Sequence, residues 1–148
     1  MNVLRAFLST VSLLVFQSGC TAVPPTMTGN TVSRTVSLKL GESTTIESEP
    51  LIIGFESVAR DSRCPKGEMC LSQGDATVRI WVQRSAAARH LVELHTAAAK
   101  QRFATVEGWY FHLESLAPYP VSGRVIAAGA YIATISVSSA APDDGGLR

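Results

Sequence analysis

Residues 76–84, ATVRIWVQR, carry the clearest structural pattern in the chain. Valine or isoleucine stands at every second position, and Arg79, Trp81 and Gln83 fall between them. This period of two is typical of a β-strand with one face in a core. The pattern and its turn-bounded neighbours predict an all-β domain, either an antiparallel β-sandwich (immunoglobulin-like) or a small barrel of about five to seven strands. The neighbouring runs are residues 36–40, 51–58, 109–116 and 130–138.

Residues 85–102, SAAARHLVELHTAAAKQR, are compatible with two structures. The segment is rich in alanine and begins with a serine suited to a helix N-cap, so a short helix near residues 86–100 is one alternative. As a strand, the middle of the segment would turn Val92 and Leu94 toward the core. We favour the strand because the neighbouring runs need a partner in the sheet.

The length of 148 residues fits one domain, and a composition that is 46% hydrophobic supplies enough apolar material for its core. We assign residues 32–140 to a single β-domain and residues 141–148 to a disordered tail. Removing a leader that contains Arg5 would leave 12 of the 13 basic residues against 12 acidic ones. This balance argues against a nucleic-acid partner.

Residues 1–19 have the features of a signal peptide. Arg5 gives a cationic start, and residues 6–16 form an apolar stretch. That stretch is shorter than the roughly 20 residues that cross a bilayer as a helix. We therefore expect the leader to be cleaved and the protein to be exported.

Cys20 is the expected site of lipidation. Ser18 and Gly19 before it resemble the end of a bacterial lipobox, in which the cysteine receives a diacylglyceryl group and begins the mature chain. Gln17 occupies a position where an aliphatic residue is usual. Ordinary secretion, with cleavage after Ala22, is the alternative.

Residues 20–31 are rich in Thr and Pro and are expected to form a flexible tether. The resulting prediction is a protein anchored to the membrane through an N-terminal lipid, in the cell envelope. Thr21 after the cysteine, in place of Asp, resembles the signal for sorting to the outer membrane. In an organism with two membranes, the domain would then face the periplasm.

The chain has three cysteines. Assigning Cys20 to the lipid leaves Cys64 and Cys70, which we expect to form a disulfide in an oxidising compartment. The closed ring of about seven residues would contribute about 2 kcal/mol of stability. We expect Asp61 to accept backbone N–H bonds at the start of this loop, and Arg63 to lie on a solvated surface.

The same loop resembles that of a group of small bacterial envelope proteins of uncharacterised activity. The pattern is D-S-R-C-P, a second cysteine, and G-x-A before a strand. The segment LAPYP at residues 116–120, with the Tyr131 strand behind it, is also similar. The resemblance implies a shared exported β-domain and carries no activity. The matching residues are Asp61, Ser62, Arg63, Cys64, Pro65, Cys70, Gly74 and Ala76.

No catalytic or metal-binding motif stands out. The sequence contains neither G-x-S-x-G nor S-x-x-K. His90 and His95 are five residues apart, a spacing that places them on opposite faces of a strand, and the Cys64–Cys70 spacing is longer than zinc knuckles use. We therefore predict no enzyme activity, no cofactor and no metal.

Two hypotheses for binding follow from the remaining features. The first is a non-enzymatic binding or envelope-structural module that contacts an envelope protein or a glycan, with Trp81 and Trp109 as a patch if both lie on one outer face. The alternative is a protease inhibitor that acts through the disulfide-braced loop 63–70 and presents Arg63 or Lys66.

Overall fold

The computed structural model describes residues 32–47 and 49–140, and these form eight β-strands and one short 3₁₀-helix, Ala128–Ala130. Cys20, the leader, the tether and residues 141–148 lie outside the described residues. No helix in the described part of the chain is long and apolar enough to span a membrane. The strands are β1 (Ser33–Lys39), β2 (Ser43–Ile46), β3 (Leu51–Asp61), β4 (Ala76–Arg84), β5 (His90–His95), β6 (Phe103–Val106), β7 (Trp109–Ala117) and β8 (Ile132–Ser138).

The strands form two antiparallel four-stranded sheets, in the orders β1-β8-β7-β6 and β2-β3-β4-β5. The predicted antiparallel β-sandwich is confirmed. Apart from the β1–β8 pair, every hydrogen-bonded neighbour is also the next strand in sequence, so the connections form a meander and not the Greek key of immunoglobulin domains. The described residues hold more strands than expected because β2 and β6, at sheet edges, have only four residues each.

The core lies between the two sheets and is made by alternate residues of their strands. In β4, Val78 and Ile80 are completely buried and Val82 is 1% exposed, as the period of two predicts. Phe55 of β3 and Phe111 of β7 are also fully buried. Burial of each such side chain contributes roughly 1.5–3 kcal/mol. Each sheet therefore turns one apolar face toward the core.

The middle of the alanine-rich segment is a strand, so the alternative of a short helix near residues 86–100 is wrong. β5 occupies His90–His95 and pairs with β4 along its whole length. Val92 is 9% exposed and Leu94 is fully buried, as the strand alternative predicted. Five of the six alanines on its two sides, all but Ala88, lie in turns or bends. Pairing with β4 and burial of two apolar side chains outweigh the helix propensity of alanine.

The sandwich has two different ends. Ser33 pairs with Ser138 at one end, where the described chain also begins and finishes; we call this the tether end. Lys39 pairs with Ile132 at the other end, about 20 Å away along β1. This second end, the loop end, carries the connections 62–75, 96–102 and 118–131.

Candidate functional site

The 62–75 connection extends the pairing of β3 and β4 beyond the strands. The Ser62 backbone N–H donates to the Asp75 carbonyl oxygen at 2.7 Å, and the Cys64 N–H donates to the Gln73 carbonyl oxygen at 2.8 Å. Main-chain bonds therefore hold the two arms of the connection together near the strands.

The predicted disulfide closes the tip of this connection. The Cys64 and Cys70 sulfurs are 2.10 Å apart, and the two Cα atoms are 6.0 Å apart. Gly74 lies where the arms meet, with φ at +68°, and a Cβ atom built on it would be 1.8 Å from the Ser62 carbonyl oxygen. Only glycine fits there, which gives a packing reason for one position of the D-S-R-C-P…G-x-A pattern.

Asp61 and Arg63 form a buried ion pair at the base of the connection. The Arg63 Nε donates to Asp61 Oδ1 at 2.9 Å, and one terminal nitrogen donates to Oδ2 at 2.6 Å. The side chains of Arg63 and Asp61 are only 5% and 11% exposed. The expected backbone bond is also present, since the Arg63 N–H donates to Asp61 Oδ1 at 3.2 Å. The two-point geometry is the strong form of this interaction.

Arg63 also joins the two sheets. Its terminal nitrogens donate to the carbonyl oxygens of Leu116 at 2.7 Å and Pro118 at 3.0 Å, on either side of the cis Ala117–Pro118 bond. Its guanidinium carbon lies 5.1 Å from the centre of the Tyr119 ring. The expectation of a solvated Arg63 is wrong, because carbonyl groups from a distant part of the chain surround it.

Neighbouring groups stabilise the ionised form of Asp61. Burial alone raises the pKa of Asp61, but the hydrogen bonds and positive charge of Arg63, with a smaller contribution from Tyr131, outweigh it and lower the pKa below its usual value. The Tyr131 hydroxyl donates to Asp61 Oδ2 at 3.1 Å. Burial and this bond to a carboxylate raise the pKa of Tyr131. One carboxylate thus connects β3, the 62–75 connection and the start of β8.

A second carboxylate, Asp75, holds the 96–102 connection. It accepts hydrogen bonds from His95 Nδ1 at 2.7 Å, from Lys100 Nζ at 3.0 Å, and from the backbone N–H groups of Thr96 and Ala97 at 3.1 and 3.0 Å. Burial raises the pKa of Asp75, but these bonds outweigh it and hold the pKa well below its usual value. From the sequence, His95 is only a candidate metal ligand, and Asp75 is not identified as important. The one sequence feature that marks Asp75 is its position directly after Gly74.

Fully exposed apolar side chains project from this braced end. The relative exposures of Met69, Leu71 and Val125 are 104%, 110% and 98%. Met69 and Leu71 belong to the 62–75 connection and Val125 to the 118–131 connection. Tyr119 and Val121 are 42% and 38% exposed beside them on the second connection. We call these five residues the apolar tip.

The two connections are fastened to each other at Lys66. The Lys66 N–H donates to the Pro120 carbonyl oxygen at 2.9 Å, and the Lys66 carbonyl oxygen accepts from the Ser122 N–H at 3.0 Å. Ser122 Oγ also donates to Glu68 Oε1 at 2.8 Å. An inhibitory loop must offer the carbonyl of its specificity residue to the oxyanion hole of the protease. The bonded carbonyl of Lys66 and the buried side chain of Arg63 do not favour the inhibitor hypothesis.

The two tryptophans do not share an outer face. Trp109 is 5% exposed, because it alternates inward with Phe111 along β7. Trp81 lies on the outer face of β4, where it covers Gly54 of β3 and has the Arg89 guanidinium carbon 3.9 Å from its ring centre. In the described structure, Trp81 and Trp109 therefore do not form the binding patch that a shared outer face would have given.

The histidines lie apart from one another. His90 pairs with Glu107 at 3.4 Å, and His112 pairs with Glu114 at 3.1 Å. Within residues 32–47 and 49–140, no three His, Cys, Asp or Glu side chains are grouped in a way that could hold a metal ion.

Comparison with known proteins returns no match. No protein-family model, curated protein or solved structure is significantly similar to this chain.

Proposed function

We propose that this protein is an exported lipoprotein, anchored through Cys20, whose β-domain is a non-enzymatic binding module for an envelope protein. The observation that carries the proposal is the apolar tip. Three fully exposed apolar side chains stand on connections that a disulfide, two buried carboxylates and several main-chain bonds hold in place.

The chemistry of the tip favours a protein partner. Large exposed apolar side chains on two adjoining connections are typical of an interaction site, and a pre-ordered surface loses little conformational entropy when it binds. A glycan is usually held by an exposed aromatic face and polar groups. The aromatic rings are already engaged, because Trp81 contacts Arg89 and the Tyr119 ring contacts Arg63 and Lys66. Met69 and Leu71 offer no hydrogen bonds, so a partner with an apolar pocket fits the tip better than a glycan does.

The position of the tip fits a tethered module. The described chain begins at the tether end, and the apolar tip lies at the loop end. A lipid on Cys20 would therefore allow the tip to point away from the anchoring membrane.

Photo-cross-linking in the producing cells tests the proposal. A photoreactive phenylalanine analogue replaces Leu71 in one variant and Val125 in a second. Arg84, which is exposed at the tether end, is replaced in a matched control. We expect the two loop-end variants to give the same discrete adduct and the control to give none.

The adduct must also depend on the tip. Met69→Ser, in the variant that carries the analogue at Val125, should reduce the adduct severalfold without changing the thermal midpoint, because Met69 makes no contribution to the core. The absence of an adduct from both loop-end positions, or an equal adduct from position 84, would contradict a binding role for this end.

A further inference from the structure

β5 and β6 are edge strands of different sheets, and an open seam separates them. At the loop end, the His95 N–H donates to the Gln101 carbonyl oxygen of the 96–102 connection at 2.9 Å. At the tether end His90 Nε2 lies 3.4 Å from Glu107 Oε1, and this contact connects the two sides. A groove of about 530 Å³ lies along the seam between these two connections.

The backbone groups of β5 that face the seam can be identified from its register. The Thr96 N–H donates to Ala76 at the start of β4, so alternate residues from Thr96 backward bond to β4. The His95 N–H points the other way, toward the seam. Because backbone groups alternate along a strand, those of Leu91 and Glu93 also face the seam. Within the described part of the chain, the backbone groups of Leu91 and Glu93 have no backbone hydrogen-bond partner on the seam side.

The backbone groups of β6 also alternate between a neighbouring strand and the seam. The Leu113 N–H donates to the Arg102 carbonyl oxygen at 2.8 Å, which places alternate residues from Arg102 onward against β7. The backbone groups of Phe103 and Thr105 therefore face the seam. The seam thus presents unpaired main-chain donors and acceptors from both of its sides.

The core is least well covered at this seam. Val92 and Ala104 line the groove and are 9% and 8% exposed, whereas every other buried apolar residue of the core is 5% exposed or less. On the outer surface, Leu91 and Phe103 are 66% and 54% exposed on the two sides of the seam. Apolar side chains therefore flank the unpaired backbone on both the inner and the outer face.

We propose that the β5–β6 seam is a second binding site and takes an extended segment of a partner polypeptide as an added strand. Main-chain bonds to Leu91, Glu93, Phe103 and Thr105 would hold the segment, antiparallel to one edge and parallel to the other. Its inward side chains would pack on Val92 and Ala104, and its outward side chains would lie in the mixed surface that includes Leu91, Phe103, Glu93 and Thr105. The ligand is therefore a peptide with an apolar residue at every second position.

Little holds the seam together at the tether end, because the contact between His90 and Glu107 is exposed on both sides and contributes little. At the loop end the His95–Gln101 backbone bond and the 96–102 connection, which Asp75 holds, would stay in place. An added strand between these two points would form several new main-chain bonds and would complete the cover of the core at Val92 and Ala104.

Peptide selection on the mature protein tests this site. Random eight-residue peptides displayed on phage are selected on the immobilised protein, and the best binder is synthesised with a fluorescent label. Binding is measured by anisotropy to the wild type, to Thr105→Pro and to Thr35→Pro. Thr105→Pro removes a seam-facing N–H without removing a bond to β7, and Thr35→Pro makes the matched change at the outward side of β1.

We expect selected peptides to alternate apolar and polar residues, to bind Thr105→Pro at least tenfold more weakly, and to bind Thr35→Pro as the wild type. A copy of the peptide with N-methyl groups at alternate residues should not bind the wild-type protein, a result that depends on no variant. Equal binding to Thr105→Pro and the wild type, retained binding of the N-methylated copy, or no selected peptide would overturn the proposal.

Failure of this site is distinguishable from failure of the proposed function. Peptides that lose binding to Leu71→Ser and keep it to Thr105→Pro would be seated on the apolar tip. Such peptides would overturn the seam as a site and would support the loop end.

Discussion

Replacing Arg63 with methionine should be among the most damaging single changes in the domain. Methionine retains an apolar stem and removes the guanidinium, which makes two bonds to Asp61 and bonds to the carbonyl oxygens of Leu116 and Pro118. Asp61, whose side chain is 11% exposed, would remain as a nearly buried charge. Removal of one partner of such a pair costs about 3–5 kcal/mol. For a domain of this size, that loss lowers the thermal midpoint by on the order of 10–20 °C.

The assay is urea unfolding at several pH values, with Arg79→Met as the control. Arg79 makes an equally short bond of 2.7 Å to Glu93, but both side chains are about half exposed, so the control should lose at most about 1 kcal/mol. The loss in Arg63→Met should also depend on pH. In the wild type, the lowered pKa of Asp61 stabilises the fold above the unfolded-state value of 3.8, and this contribution disappears as the pH falls.

In the Arg63→Met variant, burial acts on Asp61 without the opposing cation and should raise its pKa in the folded state. The destabilisation should therefore be complete at neutral pH and should shrink as the pH falls through about 4. A loss no larger than that of Arg79→Met, or a loss that stays constant from pH 7 to pH 3, would refute the view that Arg63 neutralises a buried carboxylate.

Three further outcomes follow from the loop end. Gly74→Ala should cost at least about 2 kcal/mol more than Gly41→Ala, because both glycines have positive φ but only at Gly74 would the new Cβ meet backbone; equal thermal midpoints would contradict this. Asp75→Asn should lower the free energy of unfolding by about 2–4 kcal/mol at pH 7. Below pH 4 the variant should lose less stability than the wild type, because the lowered pKa of Asp75 causes part of the wild type's loss there; an equal loss for both proteins in urea unfolding would contradict this. A tenfold excess of the protein should not slow the turnover of a peptide substrate by trypsin, because the Lys66 carbonyl is bonded within the domain; tight inhibition would restore the inhibitor hypothesis.

The strands were largely predictable from the sequence because their side chains alternate. Val78, Ile80 and Val82 mark the inner face of β4, and Val92 and Leu94 identify β5 within an alanine-rich segment. In both strands, the burial of apolar side chains determines the structure more strongly than local propensity does. The disulfide was also predictable, from the cysteine count.

The ion pairs and hydrogen bonds of Arg63 and Asp75 at the loop end could not be predicted from the sequence in the same way. An arginine in a polar loop is usually exposed, and Arg63 is buried only because Leu116 and Pro118, distant in sequence, bring carbonyl groups to it. Asp75 and His95 meet because the β4–β5 register aligns the ends of those strands. Trp109 faces inward because it alternates with Phe111 and Leu113 along β7, a period of two that the sequence does carry.

The most direct test of export and tethering is the intact mass of the protein isolated from its own cells, before and after alkylation without reductant. We expect a chain that begins at Cys20, carries a mass increment of a diacylglyceryl lipid, and gains no alkyl groups until the disulfide is reduced. A chain that retains the leader, or a folded protein in which Cys64 and Cys70 are alkylated without reduction, would contradict the account.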